Sequence, residues 1–481
     1  MTMRVDLMID PVTRIEGHAK ITLQLGDGGS VEDARFHVTE FRGFEEFCRG
    51  RMVSEMPSLT ARTCGICPAS HLLASAKAGD ALMGVMPPDT AVKLRTLVNL
   101  GQITQSHALS FFHLSAPDLL LGFEADPATR NVFGLMAEHP DPARRGIRLR
   151  SFGQGILETI AGRKVHSPGI VPGGVANPLS EERRDQIRAD LPEALQTALD
   201  SLELYRSVME GFQREIDSFG QFPSLFLGMA NDEGTWEHHV GHLKVIDAEG
   251  NVVADRIQPD EYRDYFGEAT NRDSYLKSPY FKPHVDEGAP VTDGLYRVGP
   301  LARVNMAERM GTPLADEALA AFRERVGGIA LSSFHYHEAR LIEIICCLER
   351  MGPLLDDPMI TDHYVRATGN MNRRRAVGIS EAPRGTLFHE YEVNEHGVVQ
   401  DVNLIIATGQ NNLAMNATIL EIAKEFVDGP DIPEPTLNRI EAGIRAYDPC
   451  LSCSTHAIGQ MPMVVTVKDD AGNVLSETRR D

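Results

Sequence analysis

The chain has 481 residues and carries 47 basic against 68 acidic side chains, a formal net charge of −21. That acidic surplus excludes a phosphate-neutralising nucleic-acid binder and a polybasic membrane-surface protein. Hydrophobic residues make up 42% and charged residues 24%, an ordinary globular balance, and no apolar run reaches the roughly 18 residues a spanning helix needs.

The opening stretch MTMRVDLMIDPVTRIEGH has no apolar signal core and no twin-arginine pattern, which points to a cytoplasmic site. Residues 4–41 read as strands: HAKITLQL at 18–25 alternates apolar and polar, DGG breaks it, and 31–41 resumes. From about residue 70 the pattern turns helical, and PPD at 87–89 stops one helix and starts another. The stretch 89–115 reads as a buried helix. Glycines and prolines crowd 167–175 into a shaped loop. Ser180 caps an acidic first turn, Pro192 ends or kinks that helix, and a second helix runs to about 217. A hairpin turns at AEGN within 240–258, and 259–330 is mixed with no clear period. A helix at 332–351 carries Cys346 and Cys347. A hairpin at 386–406 turns at NEHG, helices follow at 412–427 and 436–446, and the tail reads as a small hairpin. No linker signal interrupts this order. The expectation is an α+β fold: one helix-rich catalytic unit over 1–456, with peripheral strands and hairpins. Its parts are strand-rich 1–45, a helical core 70–220, a mixed insertion 230–330 and a helical and hairpin part 332–456.

Seven cysteines is too few and too odd a count for a disulfide scaffold. Four of them form two C-x-x-C pairs at opposite ends of the chain, Cys64/Cys67 in RTCGICPASH and Cys450/Cys453 in DPCLSCSTH. Two-residue spacing lets both sulfurs face one ion, and Gly65 eases the turn. Soft thiolates select zinc, copper(I), iron–sulfur or nickel–iron centres over hard cations. A structural zinc site is the plain alternative. It is weakened by the long separation of the pairs, since zinc modules place their halves within about 20 residues. Cys346 and Cys347 read as core packing, and Cys48 suggests no role.

The motifs resemble those of the large, catalytic subunit of nickel–iron hydrogenases. The resemblance rests on DPVTRIEGH (10–18), FRGFE (41–45), RTCGICPASH (62–71), SHALSFFHLSAPD (106–118), GRKVHSPGIVPGG (162–174), EAPRGTLFHE (381–390) and DPCLSCSTH (448–456). These run nearly the full chain in family order. The last motif is most similar to the cytoplasmic, cofactor-reducing group, the soluble NAD-reducing type above all.

That resemblance implies heterolytic splitting or formation of dihydrogen at a nickel–iron centre whose iron carries carbon monoxide and cyanide. It makes Cys64 and Cys450 terminal nickel ligands, and Cys67 and Cys453 bridges to iron. Glu16 becomes the proton acceptor beside Cys450; without the family, an ion pair with Arg14 would be its plainer role. Arg384 faces the diatomic ligands, with Asp118 and Asp448 completing a polar lid and Thr408 a hydroxyl donor. His71 bonds a bridging sulfur, and His166 lies near a small-subunit interface. Glu45, His456 and the carbonyl of Leu404 hold magnesium, or iron(II), below the site.

The chain has no nucleotide-binding fingerprint and no further cysteine sets for iron–sulfur clusters. Electrons must therefore pass to partners: a small subunit with an iron–sulfur cluster, and diaphorase subunits carrying FMN and binding NAD. Members of the family commonly end at the histidine of the last motif, whereas 25 residues follow His456 here. The expectation is that a maturation endopeptidase removes 457–481, and that until then the tail keeps the last motif from closing. Alternatives are linkage to NADP or another cofactor, a hydrogen sensor, and the related quinone-site subunit of respiratory complex I, which lacks the metal cysteines.

Overall fold

In the computed structural model, which describes residues 5–26, 29–429, 431–455, 463–468 and 474–480, the chain opens on an antiparallel sheet. Its strands are Val5–Ile9, Ala19–Leu25 and Val31–Val38. Along the middle strand Ala19, Ile21, Leu23 and Leu25 are buried while the residues between them are half-exposed, as a period of two requires. Helix Asn412–Phe426 packs against the third strand, so a C-terminal element covers an N-terminal sheet.

Four long helices form the central group. Asp89–Leu109 packs on Pro140–Ala161, which packs on Glu181–Met209, which packs on Tyr336–Asp356, which returns to Asp89–Leu109. The first contact is close because both helices present glycine. A Cβ on Gly153 would stand 2.6 Å from the carbonyl oxygen of Gly101.

Several expectations need correction. The α-helix from residue 89 ends at Leu109, and Ser110–Ser115 forms a π-helical turn before α-geometry resumes at Ala116–Leu121. Pro117, with no N–H to donate, stands in the first turn of the resumed helix. Pro192 does not end its helix, which runs unbroken from Glu181 to Met209; packing on two neighbouring helices outweighs one lost backbone bond. Ser180 caps it as expected, accepting from the Arg183 N–H at 3.3 Å. The mixed stretch holds the helices Tyr262–Tyr265, Pro300–Met306 and Pro313–Val326.

The expected hairpin at 386–406 is the outer part of a three-stranded antiparallel sheet, Arg375–Ala382, Gly385–Val393 and Val399–Ile405. Its first strand shows no alternation in sequence because every residue after Arg375 is buried. Helix Pro68–Met83 lies on this sheet. The approach is tightest at Gly378, where a Cβ would stand 2.0 Å from the Ala74 carbonyl oxygen. Strands Met463–Lys468 and Val474–Arg480 pair as the expected tail hairpin.

Gly378 therefore sets the distance between the helix that begins at Cys67 and the strands that flank Arg384. Gly378→Val forces them apart, and overpacking of this kind costs about 1–3 kcal/mol or more. The expected result is a thermal unfolding midpoint several degrees lower; an unchanged midpoint would contradict the close contact.

Candidate metal centre

Each C-x-x-C pair sits where a loop runs into a helix, the first pair ending at the N-cap and the second beginning at it. Cys64 is extended after the 3-10 turn Ala61–Thr63, and Cys67 is the N-cap of helix Pro68–Met83. The turn between them is closed by the Ile66 N–H on Cys64 Sγ at 3.1 Å. It is clamped from helix Asp89–Leu109, where Gln102 and Gln105 both donate to the Ile66 carbonyl, at 2.9 and 2.7 Å. At the other end of the chain Asp448 adopts a left-handed conformation, φ 54°, which stops helix Glu434–Tyr447 and turns the chain. Cys450 then caps the short helix Leu451–Ser454, its N–H bonded to Thr408 Oγ1 at 2.9 Å.

The two ends meet. Cys64 Sγ lies 3.0 Å from Cys450 Sγ, Cys67 Sγ 3.4 Å from Cys453 Sγ, and Cys450 Sγ 3.1 Å from Cys453 Sγ. All four sulfurs fall within 4.8 Å of one another and all are buried. Burial and the neighbouring sulfurs push the Cys450 and Cys453 thiols up, while hydrogen bonds from its neighbours draw Cys67 down. Four thiolates cannot share this space without a cation to offset their repulsion.

The segment carrying Glu16 seals the junction. Glu16 pairs in a parallel bridge with Cys450, its carbonyl accepts the Leu451 N–H at 3.1 Å, and its carboxylate accepts the Ser452 N–H at 3.0 Å. A Cβ on Gly17, φ +90°, would stand 2.6 Å from Leu451 Cβ, so the two segments touch. Arg14, the plainer partner for Glu16, is engaged elsewhere: it bonds Asp118, the Asn438 side chain and the Leu114 carbonyl.

Arg384 occupies the two-residue turn between Ala382 and Gly385. It bonds the Asp448 carbonyl, Asp448 Oδ1 at 2.9 Å and Ser106 Oγ at 3.2 Å. Burial opposes its charge, but Asp448 and, when ionised, the sulfurs of Cys450, Cys67 and Cys64 outweigh that and hold the guanidinium above its usual range. Asp118 does not share this lid. Its carboxylate is taken by Arg14 and, at 2.7 Å, by Arg445, because the π turn before it aims it at helix Glu434–Tyr447. His71 Nε2 lies 3.4 Å from Cys453 Sγ. Beside the sulfurs lies a small cavity of about 10 Å³, room for roughly one water molecule, walled by Pro383, Arg384, Leu387 and Thr408 and reached by Cys67, Cys450 and Cys453 but not Cys64. A closed zinc tetrathiolate has no use for such a space, whereas a reactive metal keeps an open position.

Glu45 Oε1 accepts the Leu404 N–H at 2.9 Å, and the N–H groups of Arg42 and Gly43 both bond the Thr455 carbonyl at 3.0 Å. His456 lies outside the described residues. His166, in a left-handed conformation, bonds the Ala61 carbonyl at 3.0 Å, just ahead of Cys64. Cys346 and Cys347 are core residues, as read. The last motif is folded against the first in this structure. The sequence reading missed Gln102 and Gln105, and also His389 and Tyr391, which lie behind His71; only the FHEY stretch gave any sign of them.

A family profile described as HoxL-like matches residues 6–41, and one described as nickel-dependent hydrogenase matches 42–131 and 235–456. The chain belongs to the nickel-dependent hydrogenase family. It is an oxidoreductase, and its buried four-cysteine site could hold the metal that the family's description calls for. The beta subunit of the NAD-reducing hydrogenase of Cupriavidus necator is 40% identical, over 98% of this chain and 99% of that one. An F420-non-reducing hydrogenase chain of Methanococcus voltae is 37% identical over 98% and 99%. A crystal structure of an NAD+-reducing nickel–iron hydrogenase in its H2-reduced state matches with a TM-score of 0.90 and 43% identity, over 94% of this chain and 99% of that one. A nickel–iron–selenium hydrogenase of D. vulgaris Hildenborough, at 23% identity and a TM-score of 0.77, shares the fold.

Cys450→Ala removes one of four convergent sulfurs from the ring that the Thr408 contact helps to place. The expected outcome is loss of nickel from the purified protein, read by elemental analysis; full loading would remove Cys450 from the ligand set.

Proposed function

We propose that this chain is the hydrogen-activating subunit of a cytoplasmic, NAD-linked nickel–iron hydrogenase. The observation that carries the reading is the union of four buried sulfurs with a walled cavity under Arg384, in a chain of this family. The donor set fits a nickel–iron pair, since soft thiolates favour such metals. Cys64, the one sulfur away from the cavity, suits a terminal nickel ligand with Cys450. Cys67 and Cys453, which line the cavity as Cys450 also does, would bridge to iron on the family's pattern. When bound, the pair supplies Lewis acidity and an electron sink for splitting dihydrogen into protons and electrons.

The chain supplies the rest. Arg384 offers a rigid donor fork and a fixed charge to cyanide, Thr408 a hydroxyl, and Pro383 and Leu387 a dry wall for carbon monoxide. Asp448 holds Arg384 in place. Glu16, backed by the Ser452 N–H, stands beside the Cys450 segment to take the proton. Asp118 acts through Arg14, which anchors the segment that carries Glu16. Glu45, the Leu404 carbonyl and His456 would hold magnesium or iron(II). The bonds from Arg42 and Gly43 to Thr455 support this, because they bring the residue before His456 to the Glu45 segment. His166 would face the small subunit.

The electrons leave through a small subunit with an iron–sulfur cluster to FMN- and NAD-binding diaphorase subunits. The name of the C. necator relative, an NAD-reducing hydrogenase subunit, supports this partnership. Among the described residues no helix is long and apolar enough to cross a membrane. The reading is tested by elemental analysis and infrared spectroscopy of the purified complex. Nickel and iron near one to one, with bands of metal-bound carbon monoxide and cyanide, support it; zinc without such bands overturns it.

Glu16→Gln keeps the acceptor geometry toward Ser452 and removes the proton acceptor. Metal content is expected to stay unchanged while hydrogen turnover falls by about 10²–10⁴-fold; undiminished turnover takes Glu16 out of the mechanism. The family profile's match stops at residue 456, which supports removal of 457–481 by an endopeptidase. Mass spectrometry of the chain from metal-loaded complex is expected to show the 25 residues after His456 missing; a full-length chain in active complex refutes the cleavage.

A further inference from the structure

Where helix Pro68–Met83 lies on strand Gly385–Val393, a row of polar side chains runs from the metal centre into the core. His71 and Ser75 are four residues apart on one helix face, and His389 and Tyr391 are two apart on one strand face. The two periods interleave. From Cys453 Sγ to His71 Nε2 is 3.4 Å, and from His71 Nδ1 to His389 Nε2 is 3.1 Å. From His389 Nδ1 to the Tyr391 hydroxyl is 2.7 Å, and with no metal bound that hydroxyl is placed to donate to Ser75 Oγ at 2.8 Å. His71, His389, Tyr391 and Ser75 are each no more than 1% exposed.

Such a row has only two directions, because a neutral imidazole donates from one nitrogen and accepts at the other. In one, Tyr391 donates to Ser75, His389 to Tyr391 and His71 to His389, which leaves the bare Nε2 lone pair of His71 facing the sulfur. In the other, Tyr391 donates to His389, His389 to His71, and His71 to Cys453. A thiolate bound to metal only accepts, so it is compatible with the second direction alone. The choice is made at the Tyr391 hydroxyl, which faces His389 Nδ1 at 2.7 Å and also meets Ser75 and Thr60. We infer that Tyr391, acting through His389, is a positioning residue that fixes His71 with its Nε2–H on the bridging sulfur of Cys453. The inference rests on the nickel–iron reading above and extends it to residues that do not touch the centre. A hydrogen bond to a ligand sulfur withdraws electron density from the metals, so its loss is read directly in their diatomic ligands.

The test is infrared spectroscopy of the assembled, metal-loaded complex carrying Tyr391→Phe, His71→Leu, or both. Tyr391→Phe is expected to move the carbon monoxide and cyanide bands to lower wavenumber, in the same sense as His71→Leu, and the double variant is expected to match His71→Leu alone. Unmoved bands in Tyr391→Phe, or shifts that simply add in the double variant, overturn the inference. Should Tyr391→Phe fail to load, Ser75→Ala decides: it leaves the phenol free to donate to His389, so its bands are expected in place, and a shift refutes the proposed direction. Absence of diatomic bands from the unsubstituted complex is a separate outcome and counts against the nickel–iron reading itself.

Discussion

Four sulfur atoms within 4.8 Å of one another are an unstable arrangement on their own account. Two unit charges 4 Å apart repel by about 4 kcal/mol even at an effective dielectric of 20, and each sulfur has three such neighbours. The fold answers this from two sides. It holds the sulfurs mechanically, through the glutamine clamp on Ile66 and the Thr408 bond to Cys450, so that they meet whether or not they are charged. It also places Arg384 over them. One fixed positive charge cannot balance four thiolates, and the remainder is the electrostatic demand that a metal pair meets.

Bringing the two ends of a long chain together is itself costly in loop entropy, though the cost grows only slowly with length. The fold meets it with many contacts rather than one. The Glu16 segment bonds the Cys450 segment, Arg445 bonds the Thr13 carbonyl and Glu441 takes the Thr13 N–H, and helix Asn412–Phe426 covers the first sheet. The N-terminal segments are thus structural partners of the C-terminal motif. Glu16 sits where it does because the stretch that carries it closes the junction.

Much of this was legible in the sequence because the chemistry demands particular residues at particular spacings. Two C-x-x-C pairs, the glycine between Cys64 and Cys67, the arginine between proline and glycine at 383–385 and the buried central helices all could be read. What could not be read depends on contacts distant in the chain. The all-buried strand Arg375–Ala382 has no alternation to betray it. Pro192 sits inside a helix that tertiary packing sustains. Asp118 was assigned to the Arg384 lid, but the π turn at Ser110–Ser115 rotates it toward Arg14 and Arg445. No periodicity argument foresees a π turn, since it shifts every later side chain on the helix by about a residue.

The position of Arg384 shows how far the site extends into apparently structural parts. The carbonyls of Ala382 and Pro383, the two residues before it, accept from Arg303 at 2.8 and 3.0 Å. The same guanidinium bonds Glu343 at 2.6 and 2.7 Å and Glu381 at 2.7 Å, so all five of its donors are used. Arg303 and both carboxylates are fully buried. Ion pairs of this kind are weak as net sources of stability, because desolvation consumes the attraction, yet breaking one costs about 3–5 kcal/mol. Their value is therefore rigidity. Glu343 also bonds His107 on the central helix at 2.7 Å, which ties the turn to the most buried part of the molecule. A buried guanidinium held beside four sulfurs needs that fixed reference, and a flexible surface arginine could not supply it.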